Sequence, residues 1–268
     1  MNEELCGQVK VLHSSPYSAY LPAQDQYFGG GSLYPKDNKS VIMKSETKNF
    51  FLQNFPLFQV LSEREKERLF TLLDSQEIPK YNFIYKPGDR SDVVHFLARG
   101  TVKIGMHSPD GKEVIKSLIH PMTMFGELGL IGEEKRSDFA QALKERVYIY
   151  TLTLDDFKEL MRSNFALCNR VMMLFGSRLM KAETKLESLI FKDARTRIIE
   201  FIKESIDKRG QRVGYEMLLK HSLTHQDIAN ITCTSRQTVT LVLNELRKSD
   251  LIYFNRGRIL VRDVKKLA

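Results

Sequence analysis

The stretch from Leu223 to Leu246 limits what this chain can become more than any other, because it encodes two short helices with a fixed break between them. Thr224, with Asp227 three residues on, starts the first helix as a capping box, and Ile228, Ala229 and Ile231 give it an apolar side. The break falls at Thr232, Cys233 and Thr234. Ser235 then caps a second helix whose Val239, Val242, Leu243 and Leu246 recur at steps of three and four. Arg236, Gln237, Thr240 and Asn244 point the other way, on a face with no apolar duty.

An exposed helix that begins with Ser235, Arg236 and Gln237 suits base reading. Arg can make two hydrogen bonds to guanine O6 and N7, and Gln two to adenine N6 and N7. The first helix would cross the backbone, with Thr224, Gln226 and its N-terminus as phosphate contacts that set register without reading sequence. An ordinary helical hairpin with a polar outer face fits the same pattern.

Downstream, Leu251 to Phe254 and Ile259 to Val261 read as two strands around a tight turn of Asn255, Arg256, Gly257 and Arg258. This is a wing, and Arg256 and Arg258 at its tip suit phosphate contacts better than packing. Charge agrees: Asp193 to Ala268 holds 15 Lys and Arg against 9 Asp and Glu, +6 of the chain's formal +8. A basic excess on one module is the footprint of a polyanion partner.

The 268 residues suffice for two domains, with 42% hydrophobic residues to fill their cores. No run of eighteen apolar residues and no secretory signal at the start point to a soluble cytoplasmic protein with no membrane partner. Cys6, Cys168 and Cys233 lie far apart with no C-x-x-C pair, so free thiols are expected rather than disulfides or a metal site. Residues 1–46 carry Tyr17, Tyr20, Tyr27 and Tyr34 among Ser, Pro, Gln and three consecutive glycines, and read as a disordered tail. A start at Met43 would also give a complete first domain.

Order begins near Phe50 and Phe51, followed by a helix capped by Ser62 and Glu65. From Tyr81 to Leu152 short β-type runs alternate with turn signals, the clearest being Val93–Leu97, Val102–Met106, Val114–Ile119 and Val147–Leu152. That spacing predicts an antiparallel barrel or jelly roll, not a βαβ fold. Within it, Gly126 and Glu127 begin a short helix whose free N–H groups can face a phosphate, while Arg136 and Ser137 offer a fork and a hydroxyl to the same oxygens. Glu127 can accept from a ribose hydroxyl. Both Glu127 and Arg136 are expected at a pocket rather than in the core. The alternative is an acidic surface loop.

From Cys168 the positions Met172, Phe175, Leu179, Ala182, Leu186 and Leu189 follow steps of four and three, a heptad seam suited to a parallel dimer. One face of a helix lying on the barrel would read the same way.

With these parts in this order, the chain resembles the CRP/FNR superfamily of bacterial transcription regulators over roughly residues 50–268. Gly126, Glu127, Leu128, Gly129 and Leu130 with Arg136 and Ser137 look like its cyclic-nucleotide cassette. The helix around 165–192 resembles its dimerisation helix, and Thr224 to Leu246 its helix-turn-helix. The resemblance implies that Glu127 holds a ribose, that Arg136 and Ser137 hold a cyclic phosphate, and that binding reorients the two DNA-binding domains of a dimer. Several positions depart from the pattern. The cassette is one residue shorter between Glu127 and Arg136 than in a cyclic-AMP-binding relative, and Asp138 stands where an Ala usually follows. Ala182 and Glu183 replace two hydroxyl residues that meet adenine. Cys233 replaces the usual turn Gly, and Leu241 stands where the name-giving members carry a base-contacting Arg.

An iron–sulfur sensor would need four cysteines near the first domain, and only Cys6 and Cys168 are there. His95, His107 and His120 are the candidate haem ligands, each read more simply as a packed or exposed strand residue. No metal, iron–sulfur cluster or haem is therefore expected, and the effector is a cyclic nucleotide, another small molecule, or none. No catalytic constellation occurs, so an enzyme is not expected. The expected architecture is α+β: a tail over 1–46, a cyclic-nucleotide-binding-like β-roll over 47–160, a dimerisation helix over 161–192 and a winged helix-turn-helix over 193–268. The expected partners are double-stranded DNA at a near-palindromic site, a second copy of the chain, and RNA polymerase. The competing reading is a cyclic-nucleotide-binding interaction module that does not act on DNA.

Overall fold

A computed structural model describes residues 45–267 of the chain. The tail expected over 1–46, with Cys6 and Met43, lies outside the described residues except for its last two positions, which already begin helix α1 (Ser45–Asn54). A 3-10 turn over Pro56–Val60 and helix α2 (Glu63–Leu72) follow. The capping box at Ser62 forms as expected: its main-chain N–H donates to the Glu65 carboxylate at 2.8 Å, and its hydroxyl accepts from the Glu65 N–H.

Eight strands come next: β1 (Asp74–Ile78), β2 (Phe83–Tyr85), β3 (Val93–Arg99), β4 (Val102–His107), β5 (Glu113–Ile119), β6 (Thr123–Phe125), β7 (Phe139–Ala142) and β8 (Val147–Thr153). They form two four-stranded antiparallel sheets, ordered β1-β8-β3-β6 and β2-β7-β4-β5. The four strands read from sequence are all present. Because side chains alternate across a strand, β3 serves two cores. Val94, Phe96 and Ala98 pack with Phe51, Phe55, Phe58 and Phe157 on the helical side, while Leu97 packs with Val102, Phe125 and Ile149 inside the roll.

Helix α3 (Leu154–Ser163) ends at Asn164, whose side chain accepts from the Leu167 N–H and caps helix α4 (Phe165–Phe191). The long helix thus starts at Phe165, four residues later than the boundary expected at 161. Its first turns lie on the roll through Leu167 and Val171, both buried. Of the heptad positions, Phe175 also packs there, whereas Met172, Leu179, Ala182, Leu186 and Leu189 are exposed. One face of the helix therefore packs on the roll, and the remaining heptad positions form an exposed apolar stripe.

Helix α5 (Ala194–Arg209), strands β9 (Gln211–Val213) and β10 (Glu216–Lys220), helices α6 (His225–Thr232) and α7 (Arg236–Lys248), and strands β11 (Ile252–Asn255) and β12 (Arg258–Val261) complete the chain. The wing is larger than sequence suggested, a four-stranded sheet in the order β11-β12-β10-β9. Its core joins Ile198, Ile202 and Ile206 of α5 to Ile228, Val239, Val242, Leu246, Ile259 and Val261. Leu143 and Leu118 of the roll pack into this same core, so the C-terminal module sits against the β-roll.

Candidate DNA-reading head and anion cassette

Helix α6 begins with the reciprocal capping box at Thr224 and Asp227, at 2.7 and 3.0 Å. It ends at Cys233, which adopts left-handed backbone (φ 51°) and donates its N–H to the Ala229 carbonyl. Arg197 clamps the turn from α5, donating to the carbonyls of Thr232 (3.0 Å), Cys233 (3.2 Å) and Lys192 (2.6 Å). Nothing local in sequence pointed to Arg197; its partners lie 35 and 36 residues downstream. Ser235 caps α7 by accepting from the Thr238 N–H at 3.0 Å.

Arg236, Gln237, Thr240, Leu241 and Asn244 line one shallow open concavity on the outer side of α7. Arg236, Gln237 and Leu241 are exposed, Leu241 by 59%. The Thr240 hydroxyl is engaged, meeting His225 Nδ1 at 2.9 Å and donating to the Arg236 carbonyl. Burial, then the charge of Arg236, holds the His225 imidazole below its usual pKa, so that ring tends to stay neutral. Thr224 and Gln226 are exposed at the start of α6, although the Gln226 amide donates to Asn230 at 2.8 Å. At the wing, Arg256 and Arg258 are exposed on either side of Gly257. Gly257 has φ 76°, and its carbonyl accepts from the His221 N–H at 2.9 Å; an added Cβ would meet the His221 carbonyl at 2.9 Å.

The cassette differs from its expected form. Gly126 takes φ 71° and opens a 3-10 turn over Glu127–Ile131. Glu127 and Arg136 are each only 3% exposed, so both side chains are structural members rather than the walls of an open pocket. Arg136 donates to the Gly126 carbonyl at 2.7 Å and to that of Val93, and lies 4.5 Å over the Tyr85 ring. Its fork is thus turned to main-chain oxygens, not to a phosphate. Glu127 pairs with Arg178 of α4, which also donates to the Met124 carbonyl. Burial pulls the Arg178 pKa down to about 10. Arg178 was not singled out in the sequence, since an Arg on an amphipathic helix looks like any solvated charge.

Ser137 donates to Glu133 through both its N–H and its hydroxyl. Leu128 is half-buried, with its carbonyl accepting from Gly132 and Glu133 N–H groups. Asp138 is buried and paired with Lys116 at 3.1 Å. His95 stacks against both Tyr85 and Phe125, at centroid distances of 5.7 and 5.0 Å, and burial pulls its pKa down to about 3. His107 stacks on Phe139, and burial lowers His120 to about 4. Cys168 and Cys233 are free thiols.

Two family models match the sequence: a cyclic nucleotide-binding domain over residues 75–164 and a Crp-like helix-turn-helix domain over residues 196–268. Among similar proteins is the CRP-like cAMP-activated global transcriptional regulator of Mycobacterium tuberculosis, 24% identical over 79% of this chain and 94% of the relative. The cyclic AMP receptor protein of Thermus thermophilus is 26% identical over 81% of this chain and 96% of its own. Among solved structures, a mutant of CooA from Carboxydothermus hydrogenoformans matches with a TM-score of 0.65 at 24% identity, covering 75% of this chain and 88% of that one. FixK2 from Bradyrhizobium japonicum matches at 0.64 and 19% identity, covering 73% and 95%.

Proposed function

Because this chain belongs to the CRP/FNR superfamily of DNA-binding transcription regulators, we propose that it acts as a cytoplasmic homodimer that reads a near-palindromic DNA site through helix α7. One observation carries the reading: α7 buries Val239, Val242, Leu243 and Leu246 and leaves Arg236, Gln237 and Leu241 exposed around a concavity. Arg236 takes a guanine, Gln237 an adenine nearby, and Leu241, which has no donor, an apolar group such as a thymine methyl. Arg256 and Arg258 at the wing, with Thr224 and Gln226 at the start of α6, take phosphates.

The dimer reading rests on the exposed stripe of Met172, Leu179, Leu186 and Leu189 along α4, an apolar surface that water would otherwise cover. Two copies joined there present two recognition helices to successive major grooves, which sets half-site centres about one turn, roughly 34 Å, apart. Bound beside a promoter, the dimer works on transcription by contact with RNA polymerase, either under the control of a small effector in the β-roll or with no effector at all. No catalytic step is part of the proposal.

A mobility shift with mixed genomic fragments, run at low and high salt, tests the DNA reading, because phosphate contacts weaken steeply with salt. Sedimentation of the wild type and of Leu179→Lys and Leu186→Lys tests the seam. Either substitution buries a charge at the contact, so the protein should turn monomeric and lose DNA binding together. A wild type that is monomeric at micromolar concentration with full DNA affinity contradicts the dimer.

A further inference from the structure

Ser137 brings two donors to the anion position of the cassette, its main-chain N–H and its hydroxyl. Both go to a single oxygen of Glu133, at 3.1 and 2.7 Å. The other carboxylate oxygen accepts from the Ser91 hydroxyl at 3.2 Å. One carboxylate thus collects three donors from two segments that lie 46 positions apart in sequence, as a phosphate oxygen pair would.

The main chain makes this convergence possible. Loop residues 132–137 are laced to residues 88–91 by Gly88 N–H to Arg136 (2.8 Å), Arg136 N–H to Asp89 (2.8 Å) and Ser91 N–H to Glu134 (2.9 Å). Gly129 lies so close to Ser91 that an added Cβ would meet the Ser91 carbonyl at 2.3 Å. That lacing fixes Ser91 beside Glu133, and the four-residue step from Glu133 to Ser137 lets the carboxylate fold back on its own loop. Glu127 is likewise answered from within by Arg178, and the two terminal nitrogens of Arg136 by two carbonyls, with the guanidinium over the Tyr85 ring and its Nε buried without a partner.

We propose that Glu133 is a built-in anion that fills the phosphate subsite of the β-roll, so that this chain binds DNA without a cyclic nucleotide. The proposal rests on the reading of Ser137 as the phosphate-holding residue of this fold. A tethered group competes at an effective concentration on the order of millimolar, above what a free signalling nucleotide offers. An incoming phosphate also meets the negative charge of Glu133 itself, a like-charge repulsion that opposes entry.

Calorimetry with cyclic AMP, cyclic GMP and inorganic phosphate tests this on the wild type, Glu133→Ala and Glu133→Gln. The wild type should give no heat at millimolar ligand. Glu133→Ala, with the subsite emptied, should bind at least one cyclic nucleotide about tenfold or more tightly than the wild-type limit. Glu133→Gln keeps an acceptor oxygen without the charge and should fall between them, which also covers a failure of the Ala variant to fold. Wild-type binding as tight as that of the variants, or no binding by any variant that folds, overturns the proposal. A mobility shift on the wild type with and without cyclic AMP gives the second readout: equal affinity supports the proposal, and dependence on cyclic AMP overturns it. A wild type that binds no DNA under either condition refutes the regulator reading instead, while the calorimetry still decides the role of Glu133.

Discussion

Asn230 of helix α6 donates through Nδ2 to Glu113 Oε1 at 3.0 Å, joining the DNA-binding module to strand β5 of the roll. Glu113 is held on its other side by Lys103 at 2.8 Å, and Asn230 is buried. Together with Leu118 and Leu143 in the core of the second module, this bond docks one domain on the other. Asn230→Ala should cost about 1 kcal/mol of docking, because Glu113 keeps its Lys103 partner and is not left unpaired. Hydrogen exchange in α6 should rise while exchange in the roll stays constant. Equal protection of α6 in the variant would mean that the apolar contacts alone hold the domains together.

Cys233 sits at the turn of the reading head with φ 51°, a region where a side chain is strained and glycine is not. Its N–H and carbonyl do the work of the turn, through Ala229 and Arg197. Cys233→Gly should therefore stabilise the DNA-binding module by about 0.5–1 kcal/mol, offset in part by the greater freedom of glycine in the unfolded chain. Thermal unfolding checks the sign. A loss of stability would show that the Cys233 side chain contributes packing that outweighs the backbone strain.

His95 is 7% exposed, and burial first, then the charge of Arg136, pulls its pKa down to about 3 from the ordinary 6.5. The folded state thus keeps the ring neutral while the unfolded chain takes up a proton below pH 6.5. The unfolded state binds more protons in that window, so stability is fully present above about pH 6.5 and falls as the pH drops from there towards 3. At pH 5 this one group accounts for up to about 2 kcal/mol. Denaturant unfolding at pH 7 and pH 5 should show the loss, and His95→Leu should reduce it; His120 and His221, each lowered to about 4, leave a residual slope. An identical pH dependence in the variant would mean that His95 is protonated in the fold.

What was legible in the sequence is what is local. The capping boxes at Ser62 and Thr224, the Ser235 cap, the outward face of α7 and the Gly257 turn all rest on residues three to four apart or on backbone chemistry, and each forms as expected. Strands β9 and β10 were missed because Gln211–Val213 is wholly exposed and carries no period-2 pattern, and Gly214 with exposed Tyr215 reads as loop. The cassette was found by its residue types but misjudged in its geometry. Whether Arg136 opens to a ligand or turns to the Gly126 and Val93 carbonyls depends on Val93, which stands 43 positions away. The Glu127–Arg178 pair and the Arg197 clamp are equally non-local, and a lone Arg on a helix gives no sign of its partner.

Base reading by Arg236 is the central claim, and a binding-site selection on the wild type, Arg236→Ala, Arg256→Ala and Arg258→Ala tests it most directly. The wild type should select two inverted half-sites with a guanine at one position of each. Arg236→Ala should lose that guanine, at a cost of about 1–3 kcal/mol confined to one base pair per half-site. Leu241→Arg should add a new preference for guanine one helical turn along. The two wing variants should weaken all sequences alike and flatten the salt dependence, as phosphate contacts do. An unchanged motif in Arg236→Ala, with a wing variant altering it instead, would contradict the account and move the reading head from α7 to the hairpin between β11 and β12.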